Sequence, residues 1–550
     1  MSAVNRPGLT GAGAGTGTSA SPAAARQRAR AWRSQTRLAR WVWPAGYAIA
    51  AILLFLCYLR VSGTQAVTSD GASMALQAWD MLHGNWLLRG WSMTDVSFYT
   101  TELPEYIIVG VFRGLGPQDV HTAAALTYTL LVVLAGLLAK GKKTGKEGLI
   151  RVLIASGIMI APQVGPGAFL LLLSPDHTGT GVPLLLIFLL LDRAARRPWV
   201  PPLAGLLLAW AQIGDRIVVT IGVLPVVIVC LARIARQAIS RRDRIRECWF
   251  EAALAACAVA SIGVAEVFAK VVRHLGGYAT APLNTKFAPM ATWPSHAMLA
   301  LKGVLGLYGA DVNKSLFSVA AVVDAVHIVG VALAVWALGL AIWRFFTKDD
   351  MTEQFLVVAI LVNVAAYVVS QLPNTFWDNR EIASVLPFGA VLAGRLLADK
   401  LNRPVVLPVL TAVAACYLVA LGYGVTRPQV PAHDQPLTDW LSAHHLTDGL
   451  GSYAEGNSVT LDSHGKILVV APVWRPHAVR PGQHEAKAAD FNPRHHDANF
   501  VVTTMQDGSG FYIPPAWIIR DFGKPAHIYH YEAWTIMTWH KNLLREVSSP

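Results

Sequence analysis

Long apolar runs separated by short polar segments occupy residues 43–425 of the chain. The strong runs are 43–62, 121–139, 149–173, 249–270, 317–345, 355–371, 383–397 and 404–425, and the weaker ones are 181–191, 199–213 and 217–233. A helix that crosses a bilayer needs roughly 20 mainly apolar residues, so each run is a candidate span. The pattern predicts an all-α polytopic membrane domain of about 11 transmembrane helices.

Arg and Lys residues concentrate in alternate segments between these runs, notably in residues 1–42, 140–151 and 233–246. Short positively charged loops stay on the cytoplasmic side of a membrane. The alternation therefore predicts a multi-pass plasma-membrane protein with its N-terminus in the cytoplasm and its C-terminus outside. We expect residues 1–42, which are rich in Gly, Ala and Arg, to form a disordered basic cytoplasmic tail.

Three of the segments assigned to the outside are large: residues 63–120, 271–316 and 426–550. The last of them contains a helical pattern at 437–447 and β-like runs at 467–471, 500–503 and 526–530. Gly and Pro residues separate these elements. The pattern predicts a small extracytoplasmic α/β domain over residues 426–550.

The composition supports a membrane protein and excludes other classes. The chain has 550 residues, of which 54% are hydrophobic and 15% charged, whereas soluble proteins carry about 25% charged residues; its mean hydropathy is +0.42. The net charge of +12 comes largely from loops between apolar runs, so we expect no nucleic-acid binding. The 5 cysteines lie in or beside apolar runs, which predicts neither a disulfide framework nor a Cys-based zinc site.

The first external loop carries the most informative polar residues, because it begins with Ser69-Asp70-Gly71. Apolar residues follow at helical spacing, at Ala72, Ala75, Leu76, Trp79 and Leu82. This spacing predicts an amphipathic helix that lies on the membrane surface. Asp70 stands at the start of that helix, where it is either a functional acid or simply the N-cap.

The loop continues with Phe98-Tyr99-Thr100-Thr101-Glu102-Leu103-Pro104 and Val111-Phe112-Arg113-Gly114-Leu115-Gly116 before the second long span. The order of these features along residues 43–139 resembles that of the GT-C superfamily of polyprenyl-phosphate-sugar-dependent membrane glycosyltransferases. This superfamily includes bacterial protein-mannosyltransferase-like and aminoarabinose-transferase-like enzymes. The resemblance implies a GT-C-like fold. It also implies transfer of a hexosyl or pentosyl group from a polyprenyl-phosphate donor to an envelope glycan, lipid or protein on the outer face of the membrane.

The resemblance makes Asp70 the first candidate for the catalytic base, with Asp95 and Glu102 as alternative acids in the same loop. A carboxylate can take the proton of an attacking acceptor hydroxyl. Cationic side chains can stabilise the charge of a departing lipid phosphate.

Three cations are candidates for binding the donor phosphate. Arg380 resembles the Arg-containing segment that precedes a late helix in several GT-C families, and its alternative role is an ion pair with a neighbouring Asp or Glu. Arg216 lies in a tight turn close to hydrocarbon, where ionisable groups are costly, and its alternative is a structural pair with Asp215. Lys286 is the third candidate, with simple solvation as its alternative.

Asp176 and His177 form another polar external turn. Since carboxylate and imidazole are both metal ligands, these residues are candidates for an acceptor or a divalent metal ion, with a helix cap as the alternative. The tail holds most of the 17 histidines, which lack ligand-like spacing and are interpreted as surface residues. No cofactor is certain, and the expected partners are a polyprenyl-phosphate-linked sugar donor, an envelope acceptor and membrane lipid.

Two other function classes stay open. A transporter or flippase of a lipid-linked sugar should show two related halves with polar residues or helix breaks at matching depth, and we find no such halves by eye. A non-catalytic membrane scaffold, whose tail binds partners, would leave the acidic first loop without a role. Replacing Asp70 would then have no effect.

Overall fold

The computed structural model describes residues 44–173, 177–194, 196–240, 247–282, 286–310, 319–475, 478–505 and 512–547. Contacts divide the chain into two units, residues 1–53 and 54–550. The described part of the first unit is the beginning of helix α1. The site and the cavities described below lie entirely in the second unit.

Helices dominate the described residues. They are α1 Pro44–Ser62, α2 Ser69–Leu82, α3 Leu103–Arg113, α4 Pro117–Lys140, α5 Gly145–Met159, α6 Pro166–Leu172, α7 Gly181–Arg193, α8 Val200–Gly214, α9 Leu224–Ser240, α10 Trp249–His274, α11 Trp293–Leu307, α12 Val319–Arg344, α13 Met351–Val369, α14 Val385–Leu401, α15 Leu407–Thr426, α16 Gln435–Ala443, α17 Tyr453–Asp462 and α18 Pro515–Phe522. In the described part of the chain, 7 helical stretches are long and apolar enough to cross a membrane. The protein is therefore a multi-pass membrane protein.

An eighth span results if the 3₁₀ segment Phe376–Ile382 and α14, which are bent by 50° to each other, are counted as one. The predicted count of about 11 is thus not confirmed. The run 149–173 forms two helices, because Gly165 takes a positive φ of 108° and α6 starts at the next residue. The runs 181–191 and 199–213 correspond to helices of 13 and 15 residues, which are shorter than the roughly 20 residues of a typical span.

The tail forms the small α/β region that the sequence predicts. Its strands are β3 Asp448–Leu450, β4 Leu468–Val470, β5 Val473–Arg475, β6 Ala478–Arg480, β7 Ala486–Lys487, β8 Phe500–Thr504, β9 His527–Tyr531 and β10 Trp534–Thr538. Five of them make a sheet in the order β4-β3-β8-β10-β9, in which β3 is parallel to β4 and β8, and β10 is antiparallel to β8 and β9. Strands β5 and β6 pair separately.

Alternation of side chains in this sheet buries both of its faces. Phe500 and Val502 of β8 pack with Ile536 in one apolar cluster, whereas Val501 packs with Met537 in another. Successive residues of a strand point to opposite faces. The tail therefore has an apolar core on each side of its sheet.

The first loop, the 271–316 segment and the tail meet in a second small sheet. Strand β1 (Trp91–Met93) runs parallel to β2 (Ala279–Thr280) and antiparallel to β7. All three segments belong to those predicted to lie outside the membrane.

Helix α2 confirms the helix predicted in the first loop, but its surroundings differ from the prediction. It packs against α3, α4 and α17, and Ala72 and Ala75 of the predicted apolar stripe share a buried cluster with Leu461 of α17. Leu76 packs against the same cluster, so the buried part of the stripe faces protein, and its interpretation as a membrane-surface stripe is not supported. Hydropathy identified an apolar face but not the partner that covers it.

Candidate functional site

Asp70 and Arg380 form the centre of the candidate site. Asp70 lies in the first turn of α2, and the N-cap of that helix is Thr68, so capping does not account for Asp70. Asp70 Oδ2 lies 3.1 Å from Arg380 Nη1. Their side chains are 32% and 36% exposed respectively, so a substrate can reach the pair. The structure thus joins the predicted base with the first predicted phosphate contact.

The 3₁₀ segment Phe376–Ile382 positions Arg380 between α13 and α14. Asp378 accepts hydrogen bonds from the backbone N–H and the hydroxyl of Thr375, at 2.6 and 3.1 Å. This acid therefore caps the start of the segment. Asn379, the neighbour of Arg380, is fully buried and donates to a carbonyl of the same segment.

Gly303 of α11 supports the segment that carries Arg380. A methyl group at Gly303 would overlap the Asn379 side chain and lie 2.6 Å from its Cβ, so the segment would have to shift. We expect Gly303→Ala to lower the free energy of unfolding by about 1–3 kcal/mol, measured by denaturation of the purified protein. Gly339→Ala in α12 is the matched control, because nothing lies within 4 Å of its new methyl group. Equal stability of the two variants would contradict this packing.

The tail reaches Asp70 through Tyr453, the first residue of α17. Tyr453 Oη donates a hydrogen bond to Asp70 Oδ1 at 2.8 Å and also contacts Glu485 Oε2. Ser73, one turn after Asp70, donates to Glu485 at 2.6 Å. Burial raises the pKa of Tyr453 well above its ordinary value, and the nearby Glu485 and Asp70 carboxylates raise it further. The phenol therefore keeps its proton and acts as a donor.

Asp70, His484 and Glu485 could together hold a divalent cation. One ligand atom from each lies within 4.8 Å of the others, and carboxylate oxygen and imidazole nitrogen are both metal ligands. Glu485 has a positive φ of 45°, a costly conformation for a residue other than glycine. The single phenolic proton of Tyr453 can serve only one of the two carboxylates it contacts. A cation bound here would add to the charge of Arg380 and offset the repulsion between the Asp70 and Glu485 carboxylates.

His177 links two carboxylates beside this centre. Its Nδ1 lies 2.8 Å from Asp215 Oδ2 and its Nε2 lies 3.2 Å from Glu381 Oε1. Both ring nitrogens are engaged, so the predicted acceptor or metal role of His177 would require an ion pair to break. The other predicted member of that pair, Asp176, lies outside the described residues.

The variant His177→Gln tests this buried network. His177 is only 8% exposed, and removing one partner of a buried ion pair leaves uncompensated charge. We expect a loss of about 3–5 kcal/mol in the free energy of unfolding. The control is His445→Gln, because His445 is exposed and shares a positive φ with His177. A loss of stability no larger than that of the control would argue against the network.

The same network predicts how stability depends on pH. Burial lowers the pKa of His177, but the Asp215 and Glu381 charges outweigh burial and raise it well above its ordinary value. The protonated imidazole therefore stabilises the fold fully below the unfolded pKa of about 6.5, and this contribution is lost as pH rises through the folded pKa. Unfolding temperatures of the wild type should fall on the alkaline side more steeply than those of His177→Gln. Parallel profiles would contradict the assignment.

Asp95 and Arg216 lie close to each other but apart from the Asp70–Arg380 pair. Both line a cavity of about 300 Å³ between the first loop, α8 and α10. Arg216 Nη2 lies 3.5 Å from Glu266 Oε1, so Glu266 of α10 is an ion-pair partner of Arg216. These residues make a second polar cavity beside α10.

Glu102 and Lys286 complete the predicted set. Burial, reinforced by the nearby Asp215 charge, raises the pKa of Glu102 well above its ordinary value. This carboxyl holds its proton and is poorly suited to accept another. Lys286 is exposed at the start of the described segment 286–310.

Three residues of the centre were missed from the sequence: Tyr453, His484 and Glu485. Tyr453 and Asp70 are separated by 383 positions in the chain, and no local pattern connects them. His484 is exposed, as the sequence predicts for a histidine of the tail. The adjacent imidazole and carboxylate at positions 484 and 485 were the only local signal, and such pairs are common on protein surfaces.

No protein-family model and no curated protein matches the chain. Solved structures do match. ArnT from Cupriavidus metallidurans in the apo state aligns with a TM-score of 0.55 at 10% identity, over 93% of this chain and 99% of that one. The same protein bound to undecaprenyl phosphate aligns with a TM-score of 0.53 at 10% identity, over 92% and 99%. The Archaeoglobus fulgidus oligosaccharyltransferase in complex with Zn and sulfate has a TM-score of 0.46 at 13% identity, over 82% and 67%. On the ArnT alignments, the chain has the fold of ArnT, and the GT-C-like fold predicted from its sequence is confirmed.

Proposed function

We propose that this chain is an integral membrane glycosyltransferase. It moves a hexosyl or pentosyl group from a polyprenyl-phosphate donor to an acceptor of the cell envelope on the outer face of the membrane. The observation that carries the proposal is the 3.1 Å contact between Asp70 and Arg380. It occurs in a chain with the fold of ArnT, and one of the ArnT structures is bound to undecaprenyl phosphate.

The Asp70–Arg380 pair offers the two groups that this reaction needs. Asp70 takes the proton of the acceptor hydroxyl while the hydroxyl oxygen forms a bond to the anomeric carbon of the donor. The bond between that carbon and the phosphate oxygen breaks, and the lipid phosphate leaves with the electron pair. Arg380 stabilises the negative charge that develops on the phosphate. Tyr453 holds Asp70 in place by its hydrogen bond.

The proposed orientation places the tail and the first loop outside the cell and residues 1–42 in the cytoplasm. Two observations support it. Arg and Lys residues concentrate in the segments assigned to the cytoplasm. In addition, strands β1, β2 and β7, from three segments assigned to the outside, pair with one another.

We also propose that Asp70, His484 and Glu485 hold a divalent cation, which would add positive charge on the side of Asp70 that faces Tyr453. Binding to the native state stabilises a protein by mass action. Mn²⁺ should therefore raise the unfolding temperature of the wild type and of His495→Gln, whose exposed histidine lies elsewhere in the tail. It should not raise that of Glu485→Gln. An equal rise in the unfolding temperature of all three proteins would show that Mn²⁺ does not bind at this site.

Mass spectrometry of envelope glycans and polyprenyl-linked sugars tests the proposed function. Four strains are compared: a deletion strain, and the same strain restored with the wild type, with Asp70→Asn or with Asp95→Asn at equal expression. We expect the deletion to lose one glycan and to accumulate the donor. The wild type and Asp95→Asn should reverse both changes, and Asp70→Asn should reverse neither. Full restoration of the glycan by Asp70→Asn would show that Asp70 is not the catalytic base.

The location of the accumulated donor separates a transferase from a flippase. A missing transferase leaves the donor on the outer leaflet, where a membrane-impermeant oxidant such as periodate reaches its sugar. A missing flippase leaves it on the inner leaflet, protected in intact cells. A scaffold predicts no donor accumulation at all.

A further inference from the structure

A cavity of about 400 Å³ lies between helix α2 of the first loop and the α/β region of the tail. Small-molecule sites in proteins are typically cavities of about 300–1,000 Å³. Leu76 and Trp79 of α2 form one wall, and Asn457 of α17 lies on another. The cavity is also lined by Tyr453 and Glu485, so it adjoins the site built around Asp70.

Asp70 lies between this cavity and the guanidinium group of Arg380. Its Oδ2 faces Arg380, in the bent segment before α14, and its Oδ1 faces Tyr453, which lines the cavity. A donor whose lipid stays in the bilayer approaches from the membrane helices, on the side of Arg380. An acceptor bound in the cavity would approach Asp70 from the opposite side. That arrangement suits a carboxylate that takes a proton from the acceptor.

The chemistry of the cavity does not suit a second phosphate. Its acidic side chains are Asp80, Glu485 and Asp490, and its one lysine, Lys487, already pairs with Asp80 at 2.8 Å. Asp80 also accepts hydrogen bonds from the side chains of Trp91 and Asn85, at 2.8 and 2.7 Å. Away from the proposed cation position at Glu485, the carboxylates of Asp80 and Asp490 would repel a negatively charged ligand. A neutral ligand rich in hydroxyl groups would find many acceptors.

The aromatic wall points to the same class of ligand. Trp79 is half-buried and lines the cavity. The centroids of the Trp79 and His83 rings are 4.4 Å apart. Flat aromatic side chains offer a large apolar face at low conformational cost. A sugar ring presents one face of C–H groups and a rim of hydroxyls, which matches a wall of this kind beside polar side chains.

We propose that this cavity binds a sugar unit of a glycan, so that the acceptor of the reaction is a saccharide and not a peptide or a lipid. This inference rests on the proposed function, because it assigns the acceptor of the same site. In the reaction, a hydroxyl of the bound glycan bonds to the anomeric carbon of the donor. Its proton goes to Asp70, and the lipid phosphate departs with the electrons of the broken bond.

Binding can be measured independently of transfer. The full-length protein in nanodiscs is mixed with oligosaccharide fragments released from the envelope of the deletion strain, and saturation-transfer NMR detects bound sugar protons. Peptides and lipids from the same envelope are the parallel probes. We expect signals from the oligosaccharides in the wild type. In Trp79→Ala their affinity should be weaker by about tenfold or more, equivalent to about 1.4 kcal/mol.

Three further variants make this test specific. Trp86→Ala is the matched control, because Trp86 belongs to the same loop but is 55% exposed and lies outside the cavity, so its binding should equal that of the wild type. Asn457→Ala should also weaken oligosaccharide binding, because Asn457 lines the same cavity. Since this variant leaves Trp79 in place, it tests the site even if Trp79→Ala folds poorly. Asp70→Asn should bind the oligosaccharides but fail to transfer the sugar.

The outcomes distinguish this inference from the proposed function. Absence of oligosaccharide signals in the wild type, or equal signals in Trp79→Ala, Asn457→Ala and Trp86→Ala, would overturn the saccharide site while leaving the transferase untouched. Signals from the peptide or lipid fraction that disappear in Trp79→Ala would overturn it in favour of that acceptor. Oligosaccharide binding without any sugar transfer would contradict the proposed function and leave a saccharide site.

Discussion

Replacing Asp70 by Asn is expected to lower the rate of sugar transfer by about 10²–10⁴-fold, the contribution that general bases commonly make. Asparagine has nearly the size of aspartate and can still accept the hydrogen bond from Tyr453 Oη. It cannot take a proton from the acceptor. The loss should therefore fall on kcat, with the KM for the donor changed much less.

The measurement is the initial rate of transfer by purified variants at matched concentrations, after their unfolding temperatures have been compared. Asp95→Asn is the control, because Asp95 lies in the first loop but lines the other cavity, with Arg216. We expect this control to stay within about twofold of the wild type, as changes outside an active site usually do. A large loss in Asp95→Asn with full activity in Asp70→Asn would transfer the role of base to Asp95.

Replacing Arg380 by Gln is expected to slow transfer by about 10²–10³-fold, because one donor that stabilises the transition state is lost. Arg380→Lys should retain part of the activity. Lysine keeps the charge but loses the planar fork that matches a phosphate. Arg380 is 36% exposed, so neither change should unfold the protein.

Kinetics with varied donor concentration measure this effect. Arg216→Gln is the matched control, since Arg216 is also partly exposed and paired with a carboxylate, that of Glu266. Its activity should stay close to that of the wild type. If Arg216→Gln lost activity and Arg380→Gln did not, the phosphate would have to bind beside α10, in the cavity that Arg216 lines.

The sequence predicted most of the architecture because hydropathy and strand patterns are local. The long apolar run that became α4 and the β-like run that became β8 both appear at their predicted places. The run 149–173 failed as a single span, although Gly165 and Pro166 were visible breaks within it. Averaged hydropathy hides such breaks, because two short helices are as apolar as one long helix.

The candidate site was predicted only where a residue type and its neighbours gave a local signal. Asp70 and Arg380 were predicted by a family resemblance, and the structure brings them into contact across 310 positions. Tyr453 and Glu485 had no such signal. Their places depend on how α17 and β7 of the tail pack against α2 and β1 of the first loop. Long-range packing of this kind cannot be derived from one sequence without its fold.

Sugar transfer in washed membranes of the deletion strain tests the central claim most directly. These membranes contain the accumulated donor and the unmodified acceptor, so neither needs to be identified beforehand. Purified wild-type protein should restore the missing glycan and release polyprenyl phosphate in equal amounts, measured by mass spectrometry, whereas Asp70→Asn and Arg380→Gln should do neither. Failure of the wild type to transfer sugar, or transfer by Asp70→Asn at the wild-type rate, would contradict the assignment of this site.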